Sequence, residues 1–242
     1  MENQRAVIHE GKAKILFRHH DDKLAVQHFK DTITAFNSVK ADYIEGKGAT
    51  NCQISNILLS HIARHNIATH IVSLVSPREQ LVRKLDMVPL EIVVRNVAAG
   101  SLCKKFDIAE GQVFPEPLVE FYLKSDRLGD PLITEDHIVC FHIVTKNDLQ
   151  QIRSMALNIN CVLREVFANV GITLVDFKFE VGFSIEDRVI VLGDEISPDT
   201  CRLRDSTTNK VLDKDLYRFK LGDVGEGYNE VLRRLEQYAP TH

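Results

Sequence analysis

The sequence 175-VDFKFEV-181, followed by 192-LGDEISPD-199, decides how the second half of the chain folds. Read with the period of two of a β-strand, Val175, Phe177, Phe179 and Val181 share one face, while Asp176, Lys178 and Glu180 share the other. The segment 185–188 between the two runs is a turn signal and predicts a β-hairpin. A three-residue loop at 186–188 would place Glu180 opposite Asp194, with both side chains on one face.

Two carboxylates held together at the end of a hairpin repel each other unless a cation neutralises them. Oxygen-only ligation suits Mg²⁺, so Glu180 and Asp194 are candidate metal ligands. A solvated polar face with incidental pairing is the alternative, and the hairpin alone favours neither interpretation.

The composition is typical of a soluble globular protein: 242 residues, 44% hydrophobic and 26% charged, enough for one large domain or two modest lobes. No apolar run is long enough to span a bilayer, and the opening residues lack the apolar core of a signal peptide. The five scattered cysteines form no CxxC pair, which predicts reduced thiols. We therefore expect a cytoplasmic protein with no membrane partner.

The net charge of −4 argues against a general nucleic-acid binder, which usually carries a basic excess. Local clusters of lysine and arginine can still bind small anions. We expect small-molecule partners and no nucleic acid.

The order of predicted elements indicates an α+β fold in two lobes. The first lobe, residues 1–88, is rich in strands and contains one helix that begins near Asn51. Met87-Val88-Pro89 interrupts the pattern and marks the junction with the second lobe, residues 89–242. The predicted elements of that lobe are a strand at 90–95, a short helix at 101–106 capped by Ser101, a long helix at 146–169 stopped by Gly171, the hairpin, and a final amphipathic helix.

Three segments are candidates for binding anions. In 11-GKAK-14 the ammonium groups of Lys12 and Lys14 can face one side and offset phosphate charge, although a solvated turn is the alternative. Arg95 ends a strand and faces a helix start at Ser101, where free N–H groups suit a phosphate as well as a structural turn does. Arg202 follows the hairpin carboxylates and could approach the same cleft.

Taken together, segments along nearly the whole chain resemble the SAICAR synthetase (phosphoribosylaminoimidazole-succinocarboxamide synthase) family of de novo purine biosynthesis. They are, in order, GKAK at 11–14, FKDTITAFN at 29–37, GKG at 46–48, KLDMVPLEIVVRNVAAGSL at 84–102, DP at 130–131, VDFKFE at 175–180, GDEISPD at 193–199 and LDKDLYR at 212–218.

This resemblance implies a two-lobed α+β fold whose N-terminal, nucleotide-covering lobe is similar to the small lobe of protein kinases. It also implies an amide-forming carbon–nitrogen ligase. The reaction joins carboxyaminoimidazole ribonucleotide (CAIR) to L-aspartate at the expense of ATP, and it releases SAICAR, ADP and phosphate. A homodimer and bound Mg²⁺ are further expectations from the family.

The resemblance also implies roles for particular residues. Lys12, Ala13 and Lys14 would lie over the ATP phosphates, Lys84 to Met87 would contact adenine, and Lys124 would complete the nucleotide site. Glu180 and Asp194 would hold Mg²⁺. Arg95, Ser101 and Arg202 would bind the ribonucleotide, chiefly its phosphate. Lys178 and Asp199 would line the catalytic cleft, and Lys214 and Arg218 are candidates for binding aspartate.

The chain departs from the family pattern at two places. Arg204 stands where tryptophan is common, and Ala49-Thr50 replaces the commoner apolar residues after the GKG motif. The first difference is expected to alter packing near the ribonucleotide, and the second to alter contacts of that loop.

A carboxylate is a poor acyl donor because its leaving group would be oxide. Phosphorylation by ATP, followed by attack of the aspartate amine on the acyl phosphate, is the mechanism that the resemblance supports. One rival is a kinase, although HRDxxxxN, DFG and APE are absent. The other is a non-catalytic nucleotide- or RNA-binding module, against which the absence of aromatic-basic patterns argues.

Overall fold

The structure is a computed structural model that describes residues 5–35 and 40–238. The opening residues 1–4, and Phe36 and Asn37 of the motif at 29–37, lie outside the described residues.

Fourteen strands and six α-helices are present among the described residues. The strands are β1 (Val7–Glu10), β2 (Lys14–Arg18), β3 (Leu24–Phe29), β4 (Thr32–Ala35), β5 (Lys40–Tyr43), β6 (Ile71–Ser76), β7 (Glu79–Arg83), β8 (Leu85–Met87), β9 (Leu90–Val97), β10 (Val113–Leu123), β11 (Leu132–Ile133), β12 (Ile172–Ser184), β13 (Ile190–Gly193) and β14 (Cys201–Asp205). The helices are α1 (Lys47–Arg64), α2 (Ser101–Phe106), α3 (Glu135–Cys140), α4 (Lys146–Asn169), α5 (Asp215–Phe219) and α6 (Val224–Tyr238).

The first sheet is antiparallel and has the strand order β1-β2-β3-β7-β6. Helix α1 packs against three of its strands and against α6. The helix begins four residues before the predicted Asn51, because the Gly48 N–H donates to the buried Asp31 carboxylate at 2.8 Å and fixes the first turn. Its buried Ile54, Leu58 and Ile62 follow the helical spacing seen in the sequence.

The second sheet is built around β12, which pairs with four other strands. The order is β11-β10-β9-β12-β13, and β14 and β8 also pair with β12. Strands β9 and β14 both pair with Asp176 and Phe177, so they lie on opposite edges of β12. Strands β8 and β13 likewise flank Gly182 and Phe183. Strand β12 is therefore paired on both edges at Asp176 and Phe177, and again at Gly182 and Phe183.

The main apolar core fills the space between this sheet, α1 and α4. Helix α4 has the predicted bounds and ends at a C-cap of Val170, followed by Gly171 at φ 67°. A second, smaller core packs the β4–β5 hairpin against the C-terminal helices through Ile33, Leu216 and Tyr228. The N-terminal third of the chain is thus bound to its C-terminal end.

The α+β class predicted from the sequence is confirmed. The division into lobes at residue 88 stays a prediction; the chain leaves the first sheet at Arg83, and Leu85 already belongs to the second. The predicted cap of α2 is wrong, because Gly100 occupies the N-cap position at φ 62° and no side chain caps this helix.

The predicted hairpin exists, but its register is shifted by one residue. The Ser184 N–H donates to the Val189 carbonyl at 2.8 Å, which closes a four-residue loop instead of a three-residue one. Glu180 consequently pairs with Gly193, and the expectation that it lies directly opposite Asp194 is wrong. Asp194 follows the strand in a left-handed conformation, with φ of 59°.

Within the described part of the chain, no helix is long and apolar enough to cross a membrane. All five cysteines are free thiols, as predicted.

Candidate active site

The polar face of β12 carries three charged side chains, and each is paired with an opposite charge from a neighbouring element. Asp176 accepts hydrogen bonds from two arginines. Lys178 donates to Glu91 at 2.7 Å, and Glu180 accepts from Lys124 at 2.6 Å. The apolar face, with Phe177, Phe179 and Val181, is completely buried in the core. The alternation predicted from the sequence is confirmed.

The β1–β2 turn reaches the Glu180 end of this face. Lys14 forms ion pairs with Asp194 and, at 2.7 Å, with Glu195. Lys12 is more exposed and pairs with Asp126 at 3.2 Å, and Ala13 holds the turn through its carbonyl, which accepts from Lys30 N–H. The structure therefore brings Lys14 into the same cluster as the predicted metal ligands, whereas Lys12 stands at its edge.

Glu180 and Asp194 influence each other despite the shifted register. Burial, and then the negative charge of Asp194, raise the pKa of Glu180 above its ordinary value. Burial also disfavours the charge of Asp194, but Lys14 outweighs this and holds its pKa below the ordinary range. Within residues 5–35 and 40–238, no cluster of three or more acidic, histidine or cysteine side chains could hold a metal by itself. A cation here would need ligands from a substrate or from water.

Strand β8 approaches the hairpin closely over two glycines. A Cβ on Gly182 would lie 2.7 Å from Leu85 Cβ and 3.1 Å from Met87 Sδ, so only glycine fits there. Met87 is 41% exposed, which leaves an apolar side chain at the surface beside the hairpin. Lys84 precedes β8, and its N–H donates to the Lys23 carbonyl at 2.8 Å. These residues form the connection between the two sheets, where the adenine contacts were predicted.

At the other end of β12, two predicted ribonucleotide ligands share one carboxylate. Arg95 donates to Asp176 at 2.8 Å and to Glu120 at 2.6 Å, and it is almost completely buried. Arg202 donates to the same Asp176 oxygen at 2.7 Å. Ser101 lies at the start of α2 with its side chain exposed. Arg202 is the more exposed of the two arginines, and Arg95 approaches Asp176 from the opposite edge of β12.

Asp199 is held by three side chains that were not predicted as site residues. It accepts from Lys47 at 2.6 Å, Asn51 at 2.9 Å and Tyr228 at 2.7 Å. Burial disfavours its charge, but Lys214 and Lys47 outweigh this and hold its pKa well below the ordinary value. Such a carboxylate is a weak base, so the geometry favours a positioning role over proton transfer.

In the sequence, each of these three residues belongs to a local pattern that does not indicate a contact with Asp199. Lys47 was part of the quoted GKG motif, Asn51 marked a helix start, and Tyr228 belonged to the apolar side of the final helix. Only the packing of α1 against α6 joins them at Asp199.

The two residues predicted for aspartate differ in their surroundings. Arg218 donates to Asp215 at 2.7 Å. Burial lowers the pKa of Lys214, and no carboxylate lies within ion-pair distance of its ammonium group in the described part of the chain. The charged groups that act on it are Asp199, Arg218, Lys47 and Glu195. Lys214 is therefore a half-buried cation available to an anionic ligand.

Comparison with known proteins gives the chain its family. A sequence profile described as SAICAR synthetase matches residues 7–235. The phosphoribosylaminoimidazole-succinocarboxamide synthase of Ehrlichia chaffeensis is 50% identical over 237 residues, covering 97% of this chain and 98% of that protein. The synthase of the Wolbachia of Brugia malayi is 47% identical over 230 residues, covering 95% and 96%.

Solved structures of the same family also match this chain. The crystal structure of the Ehrlichia chaffeensis synthase matches with a TM-score of 0.94 at 49% identity, covering 98% of this chain and 100% of that one. A SAICAR synthetase in complex with ADP matches with a TM-score of 0.93 at 43% identity and the same coverage.

These similarities over nearly the full length define the chain as an ATP-dependent ligase of purine biosynthesis. It belongs to the SAICAR synthetase family.

The Asp199 cluster predicts a clear difference between two substitutions. Asp199→Asn leaves the ammonium group of Lys47, which is 1% exposed, without its anion. We expect the free energy of unfolding to fall by about 3–5 kcal/mol, the usual effect of breaking a buried ion pair. Tyr228→Phe removes one hydrogen bond and is expected to lower it by about 1 kcal/mol. Urea unfolding measures both, and equal losses would contradict the role of Asp199 as the counter-ion of Lys47.

Proposed function

We propose that the protein joins CAIR to L-aspartate with ATP, giving SAICAR, ADP and phosphate. One observation carries this proposal: the polar face of β12 has an arginine-rich end at Asp176 and a lysine- and carboxylate-rich end at Glu180. Four residues of strand separate these ends by about 13 Å. A ribonucleotide bound by its phosphate at Arg202 would extend its imidazole carboxylate towards the second end, where the ATP phosphates would lie.

The ATP site is proposed at the Glu180 end, in keeping with the ADP complex of the relative described above. Lys14, Lys12 and Lys124 supply positive charge for the phosphates, and the backbone of Ala13 lies between the first two. Lys84 and Met87 are proposed to contact the adenine from the connection between the sheets. In the protein alone Lys12, Lys14 and Lys124 are paired with carboxylates, so nucleotide binding would exchange one set of anions for another.

Glu180 and Asp194 fit a Mg²⁺ ion that accompanies ATP. Mg²⁺ is commonly held by one or two carboxylates together with substrate phosphates and water, and two nearby carboxylates are what the described residues offer. Such an ion would neutralise charge on the phosphates and favour transfer of the γ-phosphoryl group. Lys14 and Lys124 would keep the two carboxylates apart and oriented.

The proposed chemistry has two steps. The imidazole carboxylate oxygen attacks the γ-phosphorus of ATP, forming an acyl phosphate and releasing ADP. The aspartate amine then attacks the acyl carbon, the C–N bond forms, and the C–O bond to phosphate breaks, so that inorganic phosphate leaves and takes up the proton that the amine loses. Lys178, midway along the polar face, is placed to neutralise the charge that develops on the acyl oxygen.

L-Aspartate is proposed to bind near Lys214 and Arg218, where a half-buried cation faces Asp199. The carboxylates of aspartate would supply the anion that Lys214 lacks, and Asp199 would hold Lys214 and Lys47 in place. A cytoplasmic location and a homodimer are proposed on family grounds alone.

A kinase is the alternative function, because ligation and a kinase reaction both use ATP and an acceptor for its phosphoryl group. It would yield a stable phosphorylated product and would not require aspartate. No contact among the described residues favours it over ligation.

The proposed function predicts that ADP release depends on both co-substrates. With Mg-ATP and CAIR, the purified protein should release ADP in step with SAICAR formation only when L-aspartate is present. The measurement is coupled ADP detection alongside chromatography of the product. ADP release that ignores aspartate would contradict ligation and support the kinase.

The metal assignment predicts that Glu180→Gln abolishes Mg²⁺-dependent turnover and leaves the protein folded. Burial disfavours the ionised form of Glu180 and raises its pKa, and Lys124, which loses its partner, is partly exposed to water; a neutral glutamine should therefore change thermal stability little. The matched control is Glu186→Gln. Glu186 lies in the hairpin loop, and its exposed carboxylate is paired with Lys23. Turnover with a normal Mg²⁺ dependence in Glu180→Gln would show that Glu180 holds no metal.

A further inference from the structure

The side chain of Arg204 lies on the same face of β14 as that of Arg202 and is largely shielded from solvent. It follows Arg202 by two residues on β14, so both side chains leave the same face of the strand. Leu203, between them, is completely buried on the other face. The Arg204 side chain is only 15% exposed, which is low for an arginine at a strand end.

The Arg204 guanidinium bridges two buried carboxylates. One nitrogen, Nη1, donates to Asp213 Oδ2, and the other, Nη2, donates to Asp215 Oδ2 at 3.2 Å. That same Asp215 oxygen accepts from Nε of Arg202 at 3.0 Å. The side chains of Asp213 and Asp215 are 0% and 5% exposed. Arg204 and Arg202 are therefore coupled through one atom.

The Arg202 guanidinium is fixed on two sides and open on the third. Nε is held by Asp215 and Nη1 by Asp176. In the described part of the chain, Nη2 has no hydrogen-bond partner, and a Cβ on Gly100 would lie only 2.5 Å from it. Nη2 therefore lies against Gly100 at the N-cap of α2, and no described protein group takes its N–H groups, which leaves them able to donate to an anionic ligand.

The surrounding charges balance only when Arg204 is counted. Four guanidinium groups meet four carboxylates in one connected set of ion pairs, which we call the arginine network. Its members are Arg95, Arg202, Arg204, Arg218, Glu120, Asp176, Asp213 and Asp215. Without Arg204 three guanidinium groups would face four carboxylates, and the network would lose one positive charge near the proposed phosphate site.

Asp213 is the member of the arginine network whose only ion pair among the described residues is with Arg204. Its remaining hydrogen bonds come from the N–H groups of Leu203 and Asp215, both at 2.7 Å. Burial raises the pKa of Asp213 to about 6, and Arg204 is the charge that opposes this rise most strongly. Removing Arg204 would leave this carboxylate without a cationic partner and loosen the segment that carries Asp215.

We propose that Arg204 is a positioning residue, which holds Asp213 and Asp215 so that Asp215 fixes the Arg202 guanidinium for the phosphate of the ribonucleotide substrate. This inference rests on the proposed function, because it takes Arg202 as the phosphate ligand. It gives a role in substrate affinity to a residue that departs from the family pattern.

The test is steady-state kinetics of the full chain with Arg204→Gln and Arg204→Lys, using CAIR, Mg-ATP and L-aspartate. For Arg204→Gln we expect KM for CAIR to rise about tenfold, the loss of roughly one charge-assisted hydrogen bond, while KM for ATP changes little. Arg204→Lys keeps the charge but cannot bridge two carboxylates, so its KM for CAIR should lie between those of wild type and Arg204→Gln. Arg233→Gln, an exposed arginine on α6 paired with Glu230, is the matched control and should match wild type.

A double-mutant cycle separates positioning from a general structural role. If Arg204 acts through Arg202, adding Arg204→Gln to Arg202→Lys should raise KM for CAIR far less than it does alone. Full additivity of the two effects would overturn the inference.

Three further outcomes would overturn it, in distinguishable ways. If wild type turns over normally and Arg204→Gln lowers the melting temperature without a selective change in KM for CAIR, Arg204 is structural only. If the wild-type protein shows no aspartate-dependent turnover, the proposed function fails first and the inference fails with it. Should Arg204→Gln not fold, a wild-type KM for CAIR in Arg204→Lys would equally contradict the bridging role.

Discussion

The structure depends on the position of one strand, β12, between four others. Strands β8 and β9 pair along one edge and β13 and β14 along the other, so this strand cannot shift without breaking several ladders. Because side chains alternate, the same constraint that buries Phe177 and Phe179 places Asp176, Lys178 and Glu180 on the opposite face of the strand. A change of one residue in register would invert both faces, and the core therefore fixes the geometry of the site.

The second feature of the cleft is that its charges are paired within the protein. Lysines and arginines that are proposed to bind phosphates and carboxylates are held by Asp194, Glu195, Glu180, Asp176 and Asp215. Buried charges of one sign would be unstable alone, so pairing allows them to be preorganised before substrates arrive. Substrate anions then compete with protein carboxylates. The residues that hold those carboxylates in place, such as Arg204 for Asp215, are therefore important for the orientation of the site.

Much of this arrangement follows from the sequence, and the exceptions have physical reasons. Period-two alternation identified the two faces of β12, and helical spacing identified α4, because both signals are local. The register of Glu180 and Asp194 was missed because the hairpin loop has four residues, and loop length decides pairing. The cluster of Lys47, Asn51 and Tyr228 at Asp199 was missed because three separate segments meet only through tertiary packing. The sequence shows that Arg204 departs from the family pattern, but its two carboxylate partners could not be derived from its position in the sequence.

The central claim is that the two reacting groups meet over the polar face of β12. A crystal structure of the protein with ADP, Mg²⁺ and CAIR tests this most directly. The account predicts the ribonucleotide phosphate on Arg202, the nucleotide phosphates on Lys14 with the metal at Glu180 and Asp194, and the imidazole carboxylate beside Lys178. A ribonucleotide bound away from this face, or nucleotide phosphates at the Asp176 end, would contradict it.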